Sequence, residues 1–199
     1  METFVTSDQH FGHDNIRKYT NRPFSDIHEM NRTLVEKWNS VVTRDDLVYI
    51  LGDFCFKDAE HRLEHWERTL LGRKVFILGN HDTHNNIPSR LKSGILHFGG
   101  HDIGITHDPK DIPQLHGCWA WLCGHVHTEW QTKLYHPSHG NIRGTQIVNV
   151  GVDQWNYTPV HLLTLVKFID KIYKERYGFQ ISQDGPESIP RWPGKERKQ

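Results

Sequence analysis

The 199-residue sequence predicts an α/β layered fold, and three observations carry that expectation. Short apolar runs rich in Val, Ile, Phe and Trp recur along the chain, bounded by Gly, Asp or His, as buried strands are. Between the early runs lie stretches whose apolar residues repeat every three or four positions, the spacing of a helix with one buried face. The two kinds of segment alternate, as they do in layered α/β domains.

Taken in order, the first strand is expected at residues 3–7. A helix over 25–41 places Ile27, Met30, Leu34, Trp38 and Val41 on one face, with Ser25 as its N-cap. A second strand falls at 47–51. Asp58 is then expected to cap a helix that buries Leu63, Trp66 and Leu70 and stops at Gly72. Further strands are expected at 74–78, 102–106, 118–123 and 146–150. A last helix starts near Pro159 and carries Leu163, Val166, Ile169 and Tyr173. From about Gly178 the chain turns polar and rich in Pro, Gly and charge. Residues 1–177 are therefore expected to form one domain and 178–199 a loosely held tail.

Composition narrows the function classes. The 24 basic and 24 acidic residues cancel, which removes any general attraction to nucleic acid or a membrane surface. No apolar run approaches the length of a membrane span, and METFVTSDQH lacks the basic-then-apolar order of a secretory leader. Cys55, Cys118 and Cys123 are too few and too scattered for a disulfide framework, so free thiols in a reducing cytoplasm are expected. Sixteen histidines are the anomaly.

The chemistry lies where the strands end. Residues 3–7 run into Asp8 and His10, 47–51 into Asp53, and 74–78 into Asn80, His81 and Asp82. Residues 102–106 run into His107 and Asp108, and 118–123 into His125 and His127. Ligands of open α/β sheets bind beyond the carboxyl ends of the strands, so these exits point at one crevice. One Asp after a strand is ordinary turn chemistry, but five such exits together are not. Asp8, His10, Asp53, Asn80, His107, His125 and His127 are therefore candidate metal ligands. Their carboxylate, amide and imidazole donors suit Mn, Fe, Zn, Ni or Mg rather than a structural zinc cage. Seven donors exceed what one four-coordinate ion needs and fit two ions about 3.5–4 Å apart.

SDQH, LGD, LGNHD, THD and CGHVH, in that order, resemble the five motifs of the calcineurin-like metallophosphoesterases. The match spans about residues 4–152, and FGHDNI, NRPF, LGDF and NVGVDQWNYTPV are similar to small bacterial and phage members. The resemblance implies a four-layer fold in which two β-sheets pack face to face with helices outside, the later, antiparallel strands forming the second sheet. It implies one ion held by Asp8, His10, Asp53 and His127, and another by Asp53, Asn80, His107 and His125. Asp53 would bridge them, manganese being the first expectation. A metal-bridging hydroxide would attack phosphorus while His81 protonates the leaving oxygen.

One departure from the phosphoprotein phosphatases matters. LGDFCFKD places Phe56 and Lys57 where they carry an Asp and an Arg, so Asp82 or Asp108 is left to orient His81 and a phosphoprotein substrate is disfavoured. His13 and Arg17 lie on the loop expected to rim the site and are candidate substrate contacts. Most of Phe11, Phe54, Phe56, Trp119, Trp121, Trp155 and Tyr157 are expected in the core, with base stacking open to one or two. Lys195, Arg197 and Lys198 are expected to be solvated. The leading expectation is a cytoplasmic two-metal phosphoesterase acting on a small phosphomonoester or phosphodiester, a nucleotide or cyclic nucleotide first. Hydrolysis at nucleic-acid ends is the alternative, disfavoured because no extended basic segment tracks a phosphate backbone. A non-catalytic binding scaffold on the same fold is the rival from another class, and the full ligand set with His81 weighs against it.

Overall fold

In chain order the elements are β1 (Thr3–Thr6), α1 (Asp14–Tyr19), α2 (Ile27–Asn39), β2 (Leu47–Leu51), α3 (Leu63–Thr69), β3 (Arg73–Ile77), β4 (Ser93–Phe98), β5 (His101–Thr106), β6 (Ala120–Cys123), β7 (Thr132–Tyr135), β8 (Thr145–Asn149), β9 (Val160–His161) and α4 (Leu162–Tyr177). The computed structural model describes residues 1–56, 63–85, 87–113, 117–135 and 144–177. The expected Asp58 cap, Lys57 and the tail at 178–199 lie outside the described residues.

The strands form two mixed sheets, ordered β3-β2-β1-β9 and β4-β5-β6-β8-β7. In the first, β1, β2 and β3 are parallel and β9 joins β1 antiparallel. The second departs from the antiparallel expectation: β5, β6 and β8 are parallel, and only the outer strands β4 and β7 run the other way. The reason is directional. Parallel strands deliver all their carboxyl ends to one edge, and each sheet thus contributes three exits to the same crevice.

Alternation along β1 explains the layering. Phe4 faces one core and Val5 the other, because successive strand side chains point to opposite faces. Phe4 joins Val48, Ile50 and Phe76 in packing against Met30, Leu34 and Trp38 of α2 and Trp66 of α3. Val5, Leu51 and Ile77 instead meet Ile103, Ile105, Leu122 and Val148 of the second sheet, so the sheets pack face to face. Leu162, Leu165, Val166 and Ile169 of α4 complete that inter-sheet core. Each such side chain contributes about 1.5–3 kcal/mol on burial. The result is the expected α/β architecture of two sheets flanked by helices. Among the described residues, no helix is long and apolar enough to cross a membrane.

Several boundaries moved for local reasons. Helix α2 is capped by Asp26 rather than Ser25: Asp26 is extended and its carboxylate accepts the Glu29 N–H at 2.7 Å. Ser25 donates its own N–H and hydroxyl to Glu29 Oε2, so the two residues close a reciprocal cap. Helix α3 ends before Gly72, whose φ of +83° is a conformation glycine adopts without strain. Helix α4 begins at Leu162, not beside Pro159, because Val160 and His161 first pair with β1. The edge strands β4 and β7 were not anticipated; only Leu96 of β4 is buried, so its sequence shows no clean alternation.

Asp46 ties the amino-terminal strand to the α2–β2 turn. One carboxylate oxygen accepts the Glu2 N–H and the other accepts the Thr43 N–H and hydroxyl, at 2.7–2.8 Å. These bonds, the Glu2 N–H first, hold its pKa down to about 2 from an ordinary 3.8. A depressed carboxyl stabilises the fold above its unfolded pKa and loses that contribution as pH falls toward the folded one. Asp46→Asn should therefore melt below wild type at pH 6, with the gap closing between about pH 4 and pH 2. A gap independent of pH across thermal melts at these values would reject this account.

Candidate metal centre

The exits of β1, β2 and β6 turn through left-handed backbone, and the backbone records the cost. Asp8, His10, Asp53, His125 and His127 all have positive φ, between 42° and 71°, as does Gly52 at 90°. Non-glycine residues in this region cost on the order of 1–3 kcal/mol each and persist only where surrounding contacts hold them. Five of the seven expected ligands sit on such backbone. The glycines beside them leave no room for a side chain: a Cβ on Gly79 would land on Asp53 Oδ1, and one on Gly124 on Ser7 Oγ.

All seven expected ligands converge. Asp8, His10 and His127 offer donor atoms within 4.8 Å of one another, and so do Asp8, Asp53 and His107. Asp53 Oδ2 lies 3.6 Å from His10 Nε2 and 3.4 Å from His107 Nε2, between the two groups. Asn80 Oδ1 lies 3.0 Å from His107 Nε2 and 3.1 Å from His125 Nδ1. His107 Nδ1 donates to the Leu51 carbonyl at 2.7 Å, which can only accept, so Nε2 is the nitrogen turned to the centre. His127 is oriented the same way, Nδ1 donating to Asp153 Oδ2 at 2.9 Å.

The electrostatics are those of a site built for cations. Asp8 is fully buried, and that desolvation raises its pKa against the pull of His107 and His127. Burial would raise Asp53 too, but the His107 hydrogen bond and the charges of His107 and His10 carry it well below the usual range. On His107 burial works downward, yet the Asp53 hydrogen bond and the Asp8 and Asp53 charges lift it to about 9. His10 is different: desolvation drives it well below its ordinary value, and both ring nitrogens lack a hydrogen-bond partner at 1% exposure. A buried imidazole with two orphaned nitrogens is costly unless something binds it, and a metal ion would. The donor set fits divalent cations.

Other expected residues have different roles. Asp82, expected to orient His81, accepts the N–H groups of Asp53, Phe54 and Gly79 at 2.8–3.1 Å. It braces the Asp53 and Asn80 loops from beneath. Asp108 lies 3.6 Å from His125, not beside His81. Arg17 has every guanidinium nitrogen engaged, with Asp14 and the carbonyls of Phe24 and Ser25, which makes it a loop clamp rather than a substrate cation. His81 does face the centre: its N–H donates to Asp53 Oδ1 at 3.0 Å and its Nε2 is 3.9 Å from Asp53 Oδ2. His13 stacks on Phe56 at 3.9 Å, with His10 and His81 within 5.4 and 6.2 Å, at the rim as expected. Cys55 and Cys123 are buried and form no disulfide.

Sequence reasoning missed Arg22 and Asp153. Asp153 follows the β8 exit, a sixth instance of the pattern that singles out the other five, and the NRPF stretch carries no local sign of a role for its arginine. Phe11 and Phe54 are wholly core.

These features define an α/β protein whose two mixed sheets present a buried Asp/His cluster at their shared carboxyl edge. No family model matches the chain. It belongs to the family of the uncharacterized protein MJ1445 of Methanocaldococcus jannaschii, to which it is 36% identical over 171 residues, 84% of this chain and 91% of that protein. The Gene 66 protein of Mycobacterium phage D29 is 37% identical over 188 residues, 77% of this chain and 88% of that protein. Among solved structures, a protein of unknown function from Aquifex aeolicus, AQ665, shares the fold at a TM-score of 0.63 and 21% identity, over 84% of this chain and 98% of that one.

The brace makes a prediction. Asp82→Ala strands three buried N–H donors at about 1–3 kcal/mol each, so urea unfolding should show a loss of roughly 3 kcal/mol or more. A loss under about 0.5 kcal/mol, the ordinary scatter for a surface change, would show that the brace carries no strain.

Proposed function

We propose that this protein is a two-metal phosphoesterase that hydrolyses a small phosphomonoester or phosphodiester, a nucleotide or cyclic nucleotide first. The observation that carries the reading is the convergence of seven nitrogen and oxygen donors, among them His10, whose two buried ring nitrogens have no hydrogen-bond partner. The order and spacing of the five motifs support the metallophosphoesterase assignment, and three buried cysteines that form no disulfide accord with a reducing compartment. Neutral net charge favours a small substrate over nucleic acid.

In this reading Asp8, His10, Asp53 and His127 hold one ion, and Asp53, Asn80, His107 and His125 the other. When bound, two divalent cations supply Lewis acidity toward phosphoryl oxygens and make water acidic enough to attack at neutral pH. Asp53 would serve both, because its Oδ2 stands near one histidine of each group. His81 is tethered through its own N–H to Asp53, and its side chain is 43% exposed. It holds a proton at the mouth of the site and delivers it to the departing oxygen.

Hydrolysis should stop on exhaustive chelation and return with manganese; activity in verified metal-free protein would sink the reading. Asp53→Asn should weaken both ions and lower turnover more than His10→Ala, which touches one ion and should be partly rescued by excess manganese. Equal metal affinities and rates in the two variants would remove Asp53 from the bridging position.

His81→Ala should slow hydrolysis of an alkyl or ribose ester by about 10²–10⁴-fold. A nitrophenyl ester, whose phenolate departs unprotonated, should lose far less, with metal content unchanged. Equal losses on both esters would leave His81 only an electrostatic role.

A further inference from the structure

The guanidinium of Arg22 is wholly buried and lies at the junction of three segments of the site. Its Nε and one terminal nitrogen donate to the two carboxylate oxygens of Asp153, at 2.8 and 3.0 Å. Its terminal nitrogens also donate to the carbonyls of Asp8, at 2.7 Å, and Gln9, at 2.9 Å. The Asp153 oxygen facing Arg22 also accepts from His127 Nδ1. The burial of Asp153 would raise its pKa, but the His127 hydrogen bond and the Arg22 charge hold it below the usual range. Asn149 and Gln154 fix the His127 backbone from the other side, each donating to its carbonyl at 2.9 and 2.7 Å.

A carboxylate can only accept, so Asp153 dictates that His127 carries its proton on Nδ1 and presents Nε2 to Asp8 and His10. The bidentate fork in turn permits Asp153 one orientation. Through the two carbonyls, the same cation holds the backbone on which Asp8 and His10 sit at positive φ. His107 owes its orientation to the Leu51 carbonyl and has no tie to Arg22. The His107 and His127 rings are therefore oriented by separate devices.

We propose that Arg22 and Asp153 are positioning residues that set the divalent-cation affinity of the Asp8–His10–His127 group without setting that of the Asn80–His107–His125 group. The inference rests on the metal-binding part of the function proposed above. Removing such a partner of a metal-binding histidine typically costs 10–100-fold in affinity.

The test is titration of Mn²⁺ into metal-free wild type, Asp153→Asn and Arg22→Lys, followed by calorimetry and by metal analysis after dialysis. Wild type should bind two ions. Asp153→Asn should weaken one by about 10–100-fold and leave the other unchanged; Arg22→Lys, which keeps the charge but loses the fork, should fall between. General loosening of the fold would weaken both ions together, and that outcome overturns the proposal, as does unchanged affinity for both. Failure of wild type to bind Mn²⁺ would overturn the metal reading itself and this inference with it. Should Asp153→Asn not fold, ring ¹⁵N spectra of zinc-loaded wild type decide: a proton on His127 Nδ1 supports the proposal, and a proton on Nε2 overturns it.

Discussion

The centre depends on strained backbone held in place by buried hydrogen bonds. Asp8, His10, Asp53, His125 and His127 leave their strands through left-handed turns. Without restraint these turns would relax and scatter the donors. Opposing that, Asp82 holds the Asp53 loop through three N–H groups, and Arg22 holds the Asp8 loop through two carbonyls. The His125 N–H bonds to both oxygens of Asp8, tying the exit of β6 to that of β1 across the two sheets. Strain at a site is preorganisation when the scaffold can hold it, and here the scaffold is the inter-sheet core directly beneath.

The same arrangement concentrates charge. Asp8, Asp53, Asp82 and Asp153 are all buried within one small region, with Arg22, His107 and His127 as their basic neighbours. A site so rich in carboxylates is at ease only with cations in it. That accounts for the upward displacement of His107, whose buried imidazole would otherwise be neutral. It also accounts for the division of labour between carboxylates: Asp8 and Asp53 face the centre, whereas Asp82 and Asp153 face backbone and side chains that hold it.

The mouth differs from its floor. His13, Phe56 and His81 form an aromatic cluster beside His10, and Tyr19 stands next to it, 72% exposed. The rim therefore offers flat aromatic surface and imidazole.

The sequence by itself determined the strands that carry donors and the identity of those donors. Buried strands need unbroken apolar runs, and an Asp or His directly after such a run cannot sit inside the sheet. That logic singles out Asp8, His10, Asp53, Asn80, His107, His125 and His127 as candidate donors, which the structure brings together, and applied to the β8 exit it singles out Asp153 as well. Tertiary structure alone decided the parallel pairing of β5, β6 and β8, since an apolar run of four to six residues is compatible with either direction. It alone decided that Asp82 braces backbone and that Arg17 clamps its own loop, because the partner of a polar side chain is set by what lies next to it in space. Arg22 shows this most clearly: its binding partner Asp153 is 131 positions away, and no local pattern encodes a contact made only when the two ends of the first sheet's neighbourhood meet.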